Sequence, residues 1–140
     1  MDQQKRLLII DDDPEFVDGV RGSLTAAGYR VDAAYNPREG FETLKANRYD
    51  LLLLDILMGR GAEGIPLARK IRKDPRLAGI PILVVTGMRQ QLEFLFRGRS
   101  VSANLVPGAE VLEKPVEPGV LLAKVGALVK SSGAVAAKAR

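Results

Sequence analysis

The sequence contains no cysteine, no histidine and no tryptophan, and its aromatic residues amount to four Phe and three Tyr in 140 residues. Without cysteine, disulfides and thiolate metal sites are excluded. Without histidine, the usual general base and the usual zinc ligand are gone. Any chemistry therefore falls to carboxylates, Lys, Arg and hydroxyls. No apolar run approaches the roughly 20 residues that span a bilayer, and the first residues, MDQQKR, lack the features of a secretory leader. The expectation is a soluble, cytoplasmic protein with no membrane insertion. The scarcity of aromatics also weighs against a nucleic-acid surface. The formal net charge is +4, but the basic residues are scattered. The one tight group, Arg69, Lys70, Arg72 and Lys73, alternates with Ala68 and Ile71 and reads as a solvated helix face. No direct nucleic-acid binding is expected.

What the chain does have is a repeated exchange of short apolar runs and helical patterns. Residues 7–10, 31–35, 51–55, 80–86 and 111–112 are aliphatic or β-branched with little alternation. Such runs suit strands covered on both faces, as in a parallel sheet. Between them, Asp13-Pro14 reads as a cap followed by proline at the first helical position, with Phe16, Val17, Val20 and Leu24 on one face and Gly28 as the stop. Asn36, Pro37 and Glu39 signal a second helix, with Phe41 and Leu44 facing inward. Ile65, Ala68 and Ile71 mark a third, ended by Asp74-Pro75. A fourth is expected from about Met88, with Leu92, Leu95 and Phe96 in a stripe, and a last one after Pro118. Five alternations predict one α/β domain over residues 5–130, a doubly wound five-stranded parallel sheet with helices on both faces. Residues 131–140 carry little to bury and are expected to form a flexible tail.

In open α/β sheets, ligands bind beyond the carboxyl ends of the strands. There the sequence sets Asp11, Asp12 and Asp13 after the first strand, Asp55 after the third, Thr86 after the fourth and Lys114 after the fifth. Adjacent carboxylates repel one another. Either they are solvated helix-start residues or a cation sits among them. With oxygen ligands alone, a hard ion such as Mg²⁺ is favoured. Asp55 beside such an ion is a candidate nucleophile toward a phosphoryl group, with Lys114 neutralising the phosphoryl oxygens and Thr86 hydrogen-bonding one of them. Taken singly, each residue has a blander reading: helix entrance, turn residue, strand residue, surface lysine.

Together, the segments LLIIDDDP, YDLLLLDILM, PILVVTG and GAEVLEKP resemble the receiver domains of two-component response regulators, the chemotaxis-regulator-like family. The resemblance implies a flavodoxin-like (βα)5 fold. It makes Asp55 the phosphoacceptor, Thr86 the switch hydroxyl and Lys114 the phosphoryl-binding lysine. Asp12 would ligate Mg²⁺ directly, Asp11 through water, and the backbone carbonyl of Leu57 would complete the protein's share. Asp13 falls outside the pair and remains an N-cap. The implied partners are a histidine kinase or phosphotransfer protein and an unidentified downstream protein. Signalling would proceed by protein–protein contact, with no output domain following and a homodimer possible.

The sequence also departs from the family. Gly59 stands where proline usually follows DILM, and the loop GRGAEG is one residue longer than usual. The stretch from Thr86 to Lys114 is several residues longer, and Val111 replaces the usual aromatic three residues before Lys114. Leu57 and Met88, bordering the path of attacking water in this family, are both apolar, which predicts slow loss of phosphate. Two rival readings remain at this stage. One is a receiver-like interaction module that works without phosphorylation. The other is a Mg²⁺-dependent phosphatase of the haloacid-dehalogenase kind, against which Leu57 stands where such enzymes place a second acid.

Overall fold

The computed structural model describes residues 4–59, 61–87 and 109–139, with side chains described as far as residue 130. The chain runs β1 (Arg6–Ile10), α1 (Pro14–Ala26), β2 (Arg30–Ala34), α2 (Pro37–Ala46), β3 (Leu51–Leu54), α3 (Gly64–Lys73), β4 (Ile82–Thr86), β5 (Glu110–Glu113) and α4 (Pro118–Ala139). The strands form one sheet in the order β2-β1-β3-β4-β5, and every pairing is parallel. The expected doubly wound sheet is therefore present. The fourth helix expected from Met88 lies outside the described residues.

Strand periodicity divides the core in two. Leu8, Ile10, Leu52, Leu54, Ile82 and Val84 point to one face, where they meet Phe41 and Leu44 of α2 and Ile65, Ala68 and Ile71 of α3. Leu7, Ile9, Leu51, Leu53, Leu83 and Val85 point to the other, against Val17, Val20 and Leu24 of α1 and Leu121, Val125 and Val129 of α4. Alternate residues of unbroken aliphatic runs thus serve opposite layers, which is why these strands carry no polar alternation. Each fully buried Leu or Ile contributes roughly 1.5–3 kcal/mol.

The helix ends follow their local chemistry. Asp13 caps α1, its side chain accepting from the amides of Glu15 and Phe16, and Pro14 opens the helix. Asn36 caps α2 by accepting from the Glu39 amide at 2.8 Å. Gly28, with φ +100°, turns the chain from α1 toward β2 in a conformation that favours glycine. One expectation differs in detail. Arg72 is not part of a solvated face: its guanidinium donates to the carbonyls of Ala78 and Ile80 at 3.0 and 2.6 Å and ties the α3–β4 connection down. The backbone of α4 runs helical to Ala139.

Candidate functional site

The sheet order makes β1 and β3 neighbours while their following connections leave in opposite directions, β1 toward β2 and β3 toward β4. The divergence opens a crevice at their carboxyl ends. Asp11 follows β1 and Asp55 follows β3 in register, the Asp55 amide donating to the Ile10 carbonyl at 3.0 Å. Both side chains are buried, 1 % and 5 % exposed. Carboxylate oxygens of Asp11, Asp12 and Asp55 all lie within 4.8 Å of one another.

The three consecutive acids have three different environments. Asp11 turns inward; its Oδ1 accepts from the Asp13 amide at 3.0 Å and its Oδ2 from Lys114 Nζ at 2.8 Å. Asp12 turns to solvent, and its Oδ2 accepts from the Gly59 amide at 2.9 Å. Asp13 caps α1 as described. The triplet is thus divided among a lysine, a loop amide and a helix terminus, which limits the repulsion that its sequence suggests.

Lys114 follows β5 directly. Its amide donates to the Thr86 carbonyl at 2.9 Å, and its peptide bond to Pro115 is cis. Its ammonium also stands 3.5 Å from Asp55 Oδ2 and 4.1 Å from the centre of the Phe16 ring. Thr86, 1 % exposed, ends β4 beside Asp55. Its hydroxyl lies 3.4 Å from the Gly87 carbonyl and also favours the charged form of Asp55. Leu57 donates its amide to Asp55 Oδ1 at 3.0 Å.

These contacts set the charge states. Burial pushes the Asp55 carboxyl up, and the Asp11 charge pushes it further. Lys114, the Thr86 hydroxyl and the Leu57 amide pull it back only in part, leaving it at about 6. Burial also works against the Lys114 charge, but the Asp11 hydrogen bond and the Asp55 and Asp11 charges outweigh it, so the ammonium is held above its ordinary value. Three clustered carboxylates, two of them paired with one lysine, leave net negative charge in a partly desolvated crevice. A hard divalent cation fits that donor set of oxygens.

The sequence model of the response regulator receiver domain family matches residues 7–126. The chain belongs to that family. Receiver domains are signalling modules of two-component systems. The chain is 33% identical over 125 residues to the DNA-binding dual master transcriptional regulator RpaA of Synechocystis sp., covering 89% of this chain and 49% of the relative. It is 32% identical over 135 residues to the regulatory protein VanRB of Enterococcus faecalis, covering 96% and 57%. The receiver thus spans about half the length of the curated relatives it matches. Among solved structures, it resembles a CheY-like receiver domain protein of Methanospirillum hungatei, with TM-score 0.78, 30% identity and coverage of 94% and 98%. It also resembles the response regulator protein TrrA of Thermotoga maritima, in complex with Mg²⁺-BeF, with TM-score 0.70, 28% identity and coverage of 89% and 99%.

All the receiver's expected site residues with described side chains, Asp11, Asp12, Asp55, Thr86 and Lys114, meet at this edge. Met88 lies outside the described residues. Three contributions to the site are not legible in the sequence. Gly59 has φ +62°, which proline cannot adopt. In the loop after β3, Met58 and Gly61 exchange backbone hydrogen bonds of 3.0 and 3.2 Å. That turn keeps Met58 in the core and aims the Gly59 amide at Asp12. Gly64 opens α3 against the backbone that follows β3; a Cβ there would collide with the Asp55 carbonyl and lie 2.6 Å from Ile56 Cα. Phe16, read only as core, stacks on Lys114; its place in the first turn after a cap was the available signal.

Proposed function

We propose that this receiver accepts a phosphoryl group on Asp55, from a histidine kinase or phosphotransfer protein, with Mg²⁺ held by Asp11, Asp12, Asp55 and the Leu57 carbonyl. The observation that carries this reading is the cluster of the Asp11, Asp12 and Asp55 carboxylates, two of which, Asp11 and Asp55, meet Lys114, beside Thr86. Asp55, at about 6, is ionised at neutral pH and attacks phosphorus while the bond from phosphorus to the donor's nitrogen or oxygen breaks. The product is an acyl phosphate, and the leaving group takes its electron pair with it. Mg²⁺, when bound, neutralises phosphoryl oxygens. Lys114 supplies a fixed positive charge, and Thr86 offers a hydroxyl to one phosphoryl oxygen. The Leu57 amide orients Asp55 through Oδ1.

The added charge and acceptors draw Lys114 and Thr86 toward Asp55, and that change alters the surface a partner protein reads. Val111 is half-buried against the α2/α3 layer and pairs with Val84, so the output does not use an aromatic at that position. Leu57 packs against the same layer and has no polar group to orient water, which favours a long-lived phosphorylated state.

The test is intact-mass spectrometry after incubation with Mg²⁺ and acetyl phosphate, beside Asp55→Ala, with a time course after donor removal. One phosphoryl adduct that requires Asp55 and Mg²⁺ is expected. No adduct from either a small donor or a histidine kinase would instead favour a module that binds partners without phosphorylation. Turnover of phosphate esters would favour the phosphatase reading.

A further inference from the structure

We infer that Phe16 is a positioning residue for Lys114, holding the ammonium where an incoming phosphoryl group meets it. The inference rests on the role of Lys114 proposed above. Among the described residues, three groups surround Nζ: Asp11 Oδ2 at 2.8 Å, Asp55 Oδ2 at 3.5 Å and the Phe16 ring centre at 4.1 Å. The first two are the anions that metal binding and phosphorylation would re-engage. The ring is the one that stays chemically unchanged through the reaction.

The face of an aromatic ring attracts a cation, and the attraction grows as water is removed. The Lys114 side chain is only 20% exposed, so the contact sits near the stronger end of that range. A lysine stem has four rotatable bonds and wanders unless it is held. The ring itself is anchored. The Phe16 amide donates to Asp13 Oδ1 at 3.3 Å in the α1 cap, and its side chain packs on the α1/α4 layer of the core. Asp13, the acid left outside the proposed metal set, therefore acts on the site through Phe16. The ring also lines a groove of about 460 Å³ between α1 and the start of α4, with Val20, Pro115, Val116 and Leu121. The phosphoryl-binding lysine and that groove share one side chain.

The experiment compares Phe16→Leu, which keeps apolar bulk, with Phe16→Tyr, which keeps the ring. NMR of the Lys114 ε-methylene reads the contact directly, because a ring face shifts those protons upfield. We expect the shift in wild type and Phe16→Tyr and its loss in Phe16→Leu. Phosphorylation by acetyl phosphate with Mg²⁺ is expected to slow about 3- to 10-fold in Phe16→Leu and to stay within about twofold of wild type in Phe16→Tyr. An unshifted ε-methylene in wild type overturns the inference, and so does a Phe16→Leu variant that reacts as fast as wild type. A wild type that forms no adduct sinks the phosphoryl-transfer reading instead, while the NMR shift still decides whether Phe16 holds Lys114.

Discussion

The buried charge at Asp55 has a cost that a single substitution should relieve. Its carboxyl stands at about 6 in the fold, against about 3.9 for an unfolded aspartate. As pH rises through that window the unfolded chain loses its proton first, so unfolding releases a proton and stability falls. At 1.36 kcal/mol per unit the loss amounts to at most about 3 kcal/mol, complete above the folded value. Asn at position 55 keeps an oxygen for the Leu57 amide and removes the charge, and Lys114 retains Asp11 at 2.8 Å. In EDTA at pH 7.5, Asp55→Asn should therefore be more stable than wild type by about 1–3 kcal/mol, and the gain should vanish near pH 4. Urea unfolding followed by circular dichroism measures both points. Asp32 and Asp74, held below their ordinary value first by the Tyr49 hydroxyl and by the Arg76 amide respectively, lose stability as pH falls. Both are present in each variant and cancel in the difference. Adding Mg²⁺ should raise wild type toward the Asn variant by mass action. An Asn variant no more stable than wild type at pH 7.5, or one whose advantage is unchanged at pH 4, would refute the electrostatic argument.

Other substitutions probe the remaining contacts. Lys114→Met leaves Asp11, 1 % exposed, without its ammonium and should cost about 3–5 kcal/mol in urea unfolding at pH 7.5. Gly64→Ala pushes a methyl into the backbone of Asp55 and Ile56 and should cost about 1–3 kcal/mol by the same assay. Gly59→Pro requires a φ that the fold does not offer and removes the donor to Asp12. It should destabilise by more than about 1 kcal/mol and weaken Mg²⁺ binding in a calorimetric titration; an unchanged affinity would show that the Gly59 amide is irrelevant to the metal. Leu57→Asn should shorten the lifetime of the phosphorylated protein severalfold, read as decay of the intact-mass adduct.

Much of the fold is legible in the chain because its signals are local. Apolar runs identify the five described strands, with the patterns of β2 and β5 weakest because those two sit at the sheet edges. Asp13-Pro14 and Asn36-Pro37 fix two helix starts to the residue. The candidate site is legible for a related reason: residues at the carboxyl ends of neighbouring parallel strands must meet, so strand order alone brings Asp11, Asp55, Thr86 and Lys114 together. Arg72 was misread because its helix register matches a solvated face, whereas its carbonyl partners, Ala78 and Ile80, belong to a following turn whose path no local pattern states.

The layered α/β class, the helix caps and the identity of the acids, the hydroxyl and the lysine at one edge follow from periodicity and short-range hydrogen bonding, so they can be read along the chain. How the three adjacent aspartates divide their roles, why Gly59 and Gly64 carry no side chain, and that Phe16 meets Lys114 emerge only once the chain is folded. Those outcomes depend on contacts between residues far apart in the chain, including the 103-residue span from Asp11 to Lys114. Exclusion of water from the crevice then raises the Asp55 carboxyl, while Asp11 and Asp55 hold the Lys114 ammonium against the same burial.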